Sequence, residues 1–211
     1  MKIIDISLKI DNKIHLWPGE HNKLNIIKTK YLDTDGVNVS RINMGLHTGT
    51  HIDSPLHHIK DAQSVNEINL NNFYSKAQVI DLTHVNNSIK LEDIINIDFT
   101  EKVILFKTKN SLLYKTRDTF FKEYIYLEEC AANYLVKKDI NIIGIDYLSI
   151  ENFYNKEAIV HKILFSNNIF VLESLDLNNV EAGIYTFIGF PIKLVDTEAS
   201  PVRAILIKGK I

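Results

Sequence analysis

Apolar residues fall into short blocks set apart by polar ones, and the spacing within each block predicts its structure. Blocks at residues 3–8, 24–30, 37–45, 78–82, 103–107, 141–145, 169–173, 184–194 and 202–208 are rich in β-branched side chains and predict strands. In Val37-Asn38-Val39-Ser40-Arg41-Ile42-Asn43-Met44 the alternation suits a sheet with one buried and one wet face. Helical spacing predicts a helix over 126–138, where Leu127, Ala131, Tyr134 and Leu135 share a face, and a second from about Lys156 to Ser166. The four prolines and eight glycines do not cluster, so no linker divides the chain. The expected architecture is a single β-rich α/β domain over residues 1–211, a mixed sheet with a few packed helices.

Composition narrows the function classes. A chain of 211 residues, 45% hydrophobic, can bury a substantial core. The net charge of -2 is spread evenly, which argues against nucleic-acid and membrane-surface partners. No apolar run reaches membrane-spanning length, and Lys2 and Asp5 interrupt the N-terminal one, so a cytoplasmic location is expected. The lone cysteine, Cys130, excludes an intramolecular disulfide and falls in the first predicted helix, where it reads as a small buried hydrophobe.

The chemistry concentrates in one string. Four of the eight histidines lie in His47-Thr48-Gly49-Thr50-His51-Ile52-Asp53-Ser54-Pro55-Leu56-His57-His58. Two imidazoles and a carboxylate spaced by four and two are a competent donor set for zinc or manganese. Gly49, the β-branched neighbours and Pro55 disfavour a helix, so an extended segment is predicted, with His47, Gly49, His51 and Asp53 on one face. Gly49 would leave room for an ion or substrate, and Pro55 would turn His57 back over the same cavity. His15, His21, His58 and His84 read as structural. His161, taken from its segment alone, reads as a capped or surface histidine. Glu173 ends an apolar run as either a solvated strand end or a paired functional group. A serine hydrolase is disfavoured, because no Gly-x-Ser-x-Gly elbow is present.

The string at 47–57 resembles the His-x-Gly-Thr-His-x-Asp-x-Pro-x-His signature of the cyclase-like metal hydrolases, the family that includes bacterial kynurenine formamidase and isatin hydrolase. The likeness extends through Trp17-Pro18-Gly19, Gly144-Ile145-Asp146 with Ser149, His161, Glu173-Ser174-Leu175-Asp176-Leu177 and Ser200-Pro201-Val202-Arg203-Ala204. It implies a swivelling β/β/α fold and a homodimer or homotetramer. It also implies two Zn2+ or Mn2+ ions per subunit held by His47, His51, Asp53, His161 and Glu173, with Asp53 and Glu173 bridging. His57 corresponds to the family's catalytic acid/base, and Trp17 to an aromatic lining the substrate pocket. The implied reaction is cleavage of an aryl formamide such as N-formylkynurenine by metal-activated hydroxide. The alternatives are opening of a cyclic amide or lactone, and a member that binds metal or ligand without catalysis. Asp61-Ala62 and Glu198-Ala199 depart from the pattern, since relatives commonly carry glycine second, and alanine resists positive φ.

Overall fold

The computed structural model describes residues 1–19 and 24–209, so His21 lies outside the described residues. Thirteen strands follow in chain order: β1 (Lys2–Asp5), β2 (Asn25–Lys30), β3 (Val39–Asn43), β4 (His51–Asp53), β5 (Tyr74–Asp81), β6 (Ser88–Ile89), β7 (Val103–Lys107), β8 (Tyr126–Leu127), β9 (Ile142–Ile145), β10 (Phe170–Glu173), β11 (Gly183–Ile188), β12 (Ala199–Pro201) and β13 (Ile205–Lys208). Five helices accompany them: α1 (Leu32–Asp35), α2 (Leu91–Ile94), α3 (Asn110–Thr116), α4 (Glu129–Leu135) and α5 (Ile159–Ser166).

Nine strands form one mixed sheet in the order β1-β13-β11-β5-β7-β9-β10-β4-β12. Its centre, β5-β7-β9-β10, is parallel, and both flanks are antiparallel. The central strands are continuous apolar runs because both of their faces are buried. Along β7 the side chains alternate: Ile104 and Phe106 enter the core under α4 and α5, while Val103 and Leu105 enter the opposite one. That second core takes Ile6 and Leu206 from one end of the sheet and Ile52 from the other, so the sheet curls until both ends share it. Ser7 bridges to Leu175, and the Asp176 N–H donates to the Ile6 carbonyl, tying the ends together.

Several elements differ from expectation. The strand expected over 184–194 stops at Ile188, and the helix expected over 126–138 gives its first residues to β8. Cys130 is exposed, since α4 turns Ala131, Ala132 and Leu135 to the core and leaves Cys130 outward. Ala62 and Ala199 need no positive φ: Asp61 takes it in the first turn (57°), and Ala199 is extended and buried in β12. Strands β2 and β3 pair only with each other, and every residue from 25 to 43 is exposed. Among the described residues no helix is long and apolar enough to cross a membrane.

Candidate metal centre

Register brings the first groups together. Strand β4 lies between β10 and β12, with His51 opposite Glu173 and Asp53 opposite Val171 and Ala199. Two-residue periodicity turns His51 and Asp53 to one face, beside Glu173, while Ile52 anchors the strand in the core behind. His161 comes from the first turn of α5, which begins after Ala158 at φ 50° and packs beside β10. His47 does not belong to the strand, contrary to the extended segment predicted from 47. Gly49 at φ 72° breaks the chain direction, and β4 begins only at His51. Nor does Gly49 leave room for a ligand: a Cβ there would stand 3.1 Å from Ile14 Cδ1 and 3.3 Å from Ile10 Cγ1, so its open side faces packed side chains.

The resulting cluster is tight. His47 Nδ1 lies 2.9 Å from Asp53 Oδ1, and His51 Nε2 lies 3.4 Å from Asp53 Oδ1 and 3.4 Å from Glu173 Oε2. His161 Nε2 lies 3.3 Å from Glu173 Oε1 and 3.9 Å from Asp53 Oδ2. Two donor groups, His47-His51-Asp53 and Asp53-His161-Glu173, each gather their donor atoms within 4.8 Å and share Asp53. His51 Nδ1–H donates to the Gly49 carbonyl at 2.8 Å, so its Nε2 lone pair faces the carboxylates, as a metal-binding imidazole requires.

Whether this set fits a cation is decided by its unsatisfied atoms. His51 Nε2 and both Asp53 carboxylate oxygens are buried without a hydrogen-bond partner, a costly state that a cation among them would relieve. The charges agree. Burial works against protonation of His47, yet the Asp53 carboxylate outweighs it and raises His47 to about 11. Burial likewise opposes the charge on His161, which Glu151 and Glu173 raise to about 10. Burial alone would push Asp53 up, but His47 and His51 hold it down. Glu173, opposed by burial and by Asp53, is held down by the neighbouring His161 and His51. The carboxylates around the cluster thus hold positive charge on two imidazoles, the kind of charge a divalent cation would supply in its place.

His57 belongs to neither donor group. The short 3-10 turn Pro55–His57 sets its ring 4.3 Å from that of His47, and burial, with His47 and His161, holds it below the usual imidazole value. Both His57 and Trp17 line a pocket of about 290 Å³ over the cluster, with Phe153 5.3 Å from the Trp17 ring. Tyr154, next to Phe153 in the chain, faces solvent at 68% exposure.

Other histidines divide. His15 stacks 4.0 Å from Tyr114 with Nε2 against the Arg117 carbonyl, and His84 is exposed. His58, read from sequence as structural, lines the pocket, its ring 4.8 Å from that of His161. Burial and the neighbouring His57 and His161 lower His58 to about 3, so it stays neutral.

Two carboxylates escaped sequence reasoning as site groups. Glu198 Oε1 lies 3.4 Å from His47 Nε2, and Glu151 Oε2 accepts from the Val160 N–H and lies 3.6 Å from His161 Nδ1. Neither carried a local signal: Glu198 arrives through the pairing of β12 with β4, and Glu151 through the loop before α5.

A family model described as Cyclase matches residues 4–152. The chain belongs to the cyclase family. A kynurenine formamidase from Geobacillus thermodenitrificans is 35% identical to this cyclase over 209 residues, 97% of each chain. A solved structure from Bacillus stearothermophilus, described as a predicted metal-dependent hydrolase, is 37% identical, with a TM-score of 0.84 over 97% of each chain. Isatin hydrolase A from Labrenzia aggregata, bound to benzyl benzoate, is 23% identical to the cyclase, covers 97% of this chain and 93% of its own, and shares the fold with a TM-score of 0.83.

Proposed function

We propose that this cyclase is a cytoplasmic, metal-dependent amidohydrolase that cleaves aryl formamides such as N-formylkynurenine, with His47, His51, Asp53, His161 and Glu173 as ligands to two Zn2+ or Mn2+ ions. The observation that carries the reading is the buried pair of donor groups sharing Asp53, with unpartnered atoms turned inward and a pocket directly above. The relatives named kynurenine formamidase support the substrate class. A divalent cation held by these five side chains would supply Lewis-acid chemistry, lowering the pKa of water from about 16 toward about 7.

The chain's own groups do the rest. Trp17 and Phe153, in contact with each other, form one aromatic wall against which the aryl ring packs, holding the amide over the cluster. His57, neutral because its pKa is lowered, accepts the proton of the attacking water and delivers it to the departing nitrogen. The leaving nitrogen departs as the neutral arylamine, and the other product is formic acid, which releases its proton to solvent as formate. His58, neutral and beside His57, offers a further hydrogen-bonding wall without competing for that proton.

Metal analysis of purified protein tests the ligand set: stoichiometric Zn or Mn is expected, lost when Asp53→Ala removes the shared carboxylate. Turnover of N-formylkynurenine but not of isatin by the reconstituted protein is expected, and the reverse preference overturns the substrate class. The exposed arm at 25–43, with Ile26, Ile27, Val39 and Ile42 uncovered, supports assembly as a homodimer or homotetramer. Light scattering that returns a monomer mass overturns that assignment.

A further inference from the structure

The wall above the cluster is formed in part by a short segment running from the floor of the pocket to its rim. At its inner end Glu151 lies against His161, at its middle Phe153 faces Trp17, and near its outer end Lys156 is exposed to solvent. Amide, aromatic ring and charge are the three parts such a wall would meet in succession. Among the described residues lining the pocket, Lys156 is the one lysine, and no arginine joins it.

The segment is not a loose loop. Asn155 Nδ2 donates to Glu151 Oε1 at 3.1 Å, and the Asn155 N–H donates to the Asn152 carbonyl at 2.9 Å. The Tyr154 N–H donates to Asn152 Oδ1 at 2.9 Å, and the Glu157 N–H to Asn155 Oδ1 at 3.0 Å. Lys156 therefore sits between two braced residues, and Ala158 at φ 50° turns the chain directly into α5. Like several other lysines, Lys156 has no carboxylate within ion-pair distance among the described residues, and what distinguishes it is its place in the pocket lining; Lys122, over the Phe153 ring at 4.9 Å, does not line the pocket.

We infer that Lys156 forms a carboxylate subsite at the rim, so that this pocket selects aryl formamides whose side chain carries a carboxylate over neutral formamides and cyclic amides. The inference rests on the hydrolase reading above and adds the group that recognises the far end of the substrate. An ammonium already at the surface loses little hydration when it meets a carboxylate, and the charge-assisted bond corresponds to about tenfold in affinity. A neutral ligand gains nothing from it.

The test uses metal-loaded full-length protein as wild type, Lys156→Ala and Lys156→Arg. The ratio of kcat/KM for N-formyl-L-kynurenine to that for formanilide, which lacks the carboxylate, falls about tenfold in Lys156→Ala and recovers in Lys156→Arg. An unchanged ratio in Lys156→Ala overturns the subsite. Binding of L-kynurenine and of its decarboxylated analogue kynuramine is titrated in parallel. Wild type favours the acid and Lys156→Ala loses that preference; equal binding of both by wild type also overturns the subsite. If no formamide is turned over, the hydrolase reading falls, while the binding comparison still decides the role of Lys156.

Discussion

His57 and Asp53 stand within one short stretch of chain and do opposite things. Asp53 is fully buried with both oxygens turned to imidazoles, whereas His57 points into the pocket with no carboxylate bonded to it. Replacing His57 with alanine should leave metal content unchanged and lower kcat by about 10²- to 10⁴-fold, as loss of a general acid/base does. Measured metal stoichiometry beside kcat separates this from loss of a ligand. The sign of the pH effect follows from burial. His57 accepts a proton only when neutral, and its pKa is lowered from 6.5, so kcat/KM should hold down to a pH below 6.5 and fall only in more acidic solution. A limb centred at or above 6.5 would assign the proton transfer to another group.

At the scale of elements, packing between strands decides where the site can form. Gly144 in β9 illustrates how little slack exists: a Cβ there would stand 2.5 Å from Leu105 Cδ2 and 2.8 Å from Leu175 Cδ1. Gly144→Ala is expected to cost about 1–3 kcal/mol, read as a lower denaturant midpoint at unchanged slope. The same packing explains what could be read in advance. Strands β7, β9 and β10 were legible because burial on both faces demands unbroken apolar runs. The helix α3 was not: its start is held by the Asp146 carboxylate, which accepts from the N–H and hydroxyl of both Thr108 and Ser111 across 35 or more residues. The donors at 47–53 were legible as a group from their spacing, but their geometry was misread, because the turn at Gly49 depends on Ile10 and Ile14 packing against it. His161 and Glu173 carried no distinguishing local pattern and came from family resemblance. Their meeting with Asp53 depends on α5 and β10 lying together against β4.

For the whole molecule, the cluster adds a further tie among β4, β10 and α5, elements remote in sequence that pack together in the fold, so ion removal should be felt as global stability. A ligand that binds only the folded state at a hundred times its Kd adds about 2.7 kcal/mol. Exhaustive chelation is therefore expected to lower Tm, with recovery on adding back Zn or Mn; an unmoved Tm would detach the cluster from metal binding. The position of β4 carries one more consequence. Both of its neighbours, β10 and β12, are synthesised long after it, so a nascent polypeptide displays His47, His51 and Asp53 more than a hundred residues before either flanking strand exists. Two of the five donors, His161 and Glu173, and both strands that flank β4 follow more than a hundred residues after Asp53. The second donor group can form only once Glu173 has been added, so a ribosome stalled before Glu173 holds a chain unable to complete it.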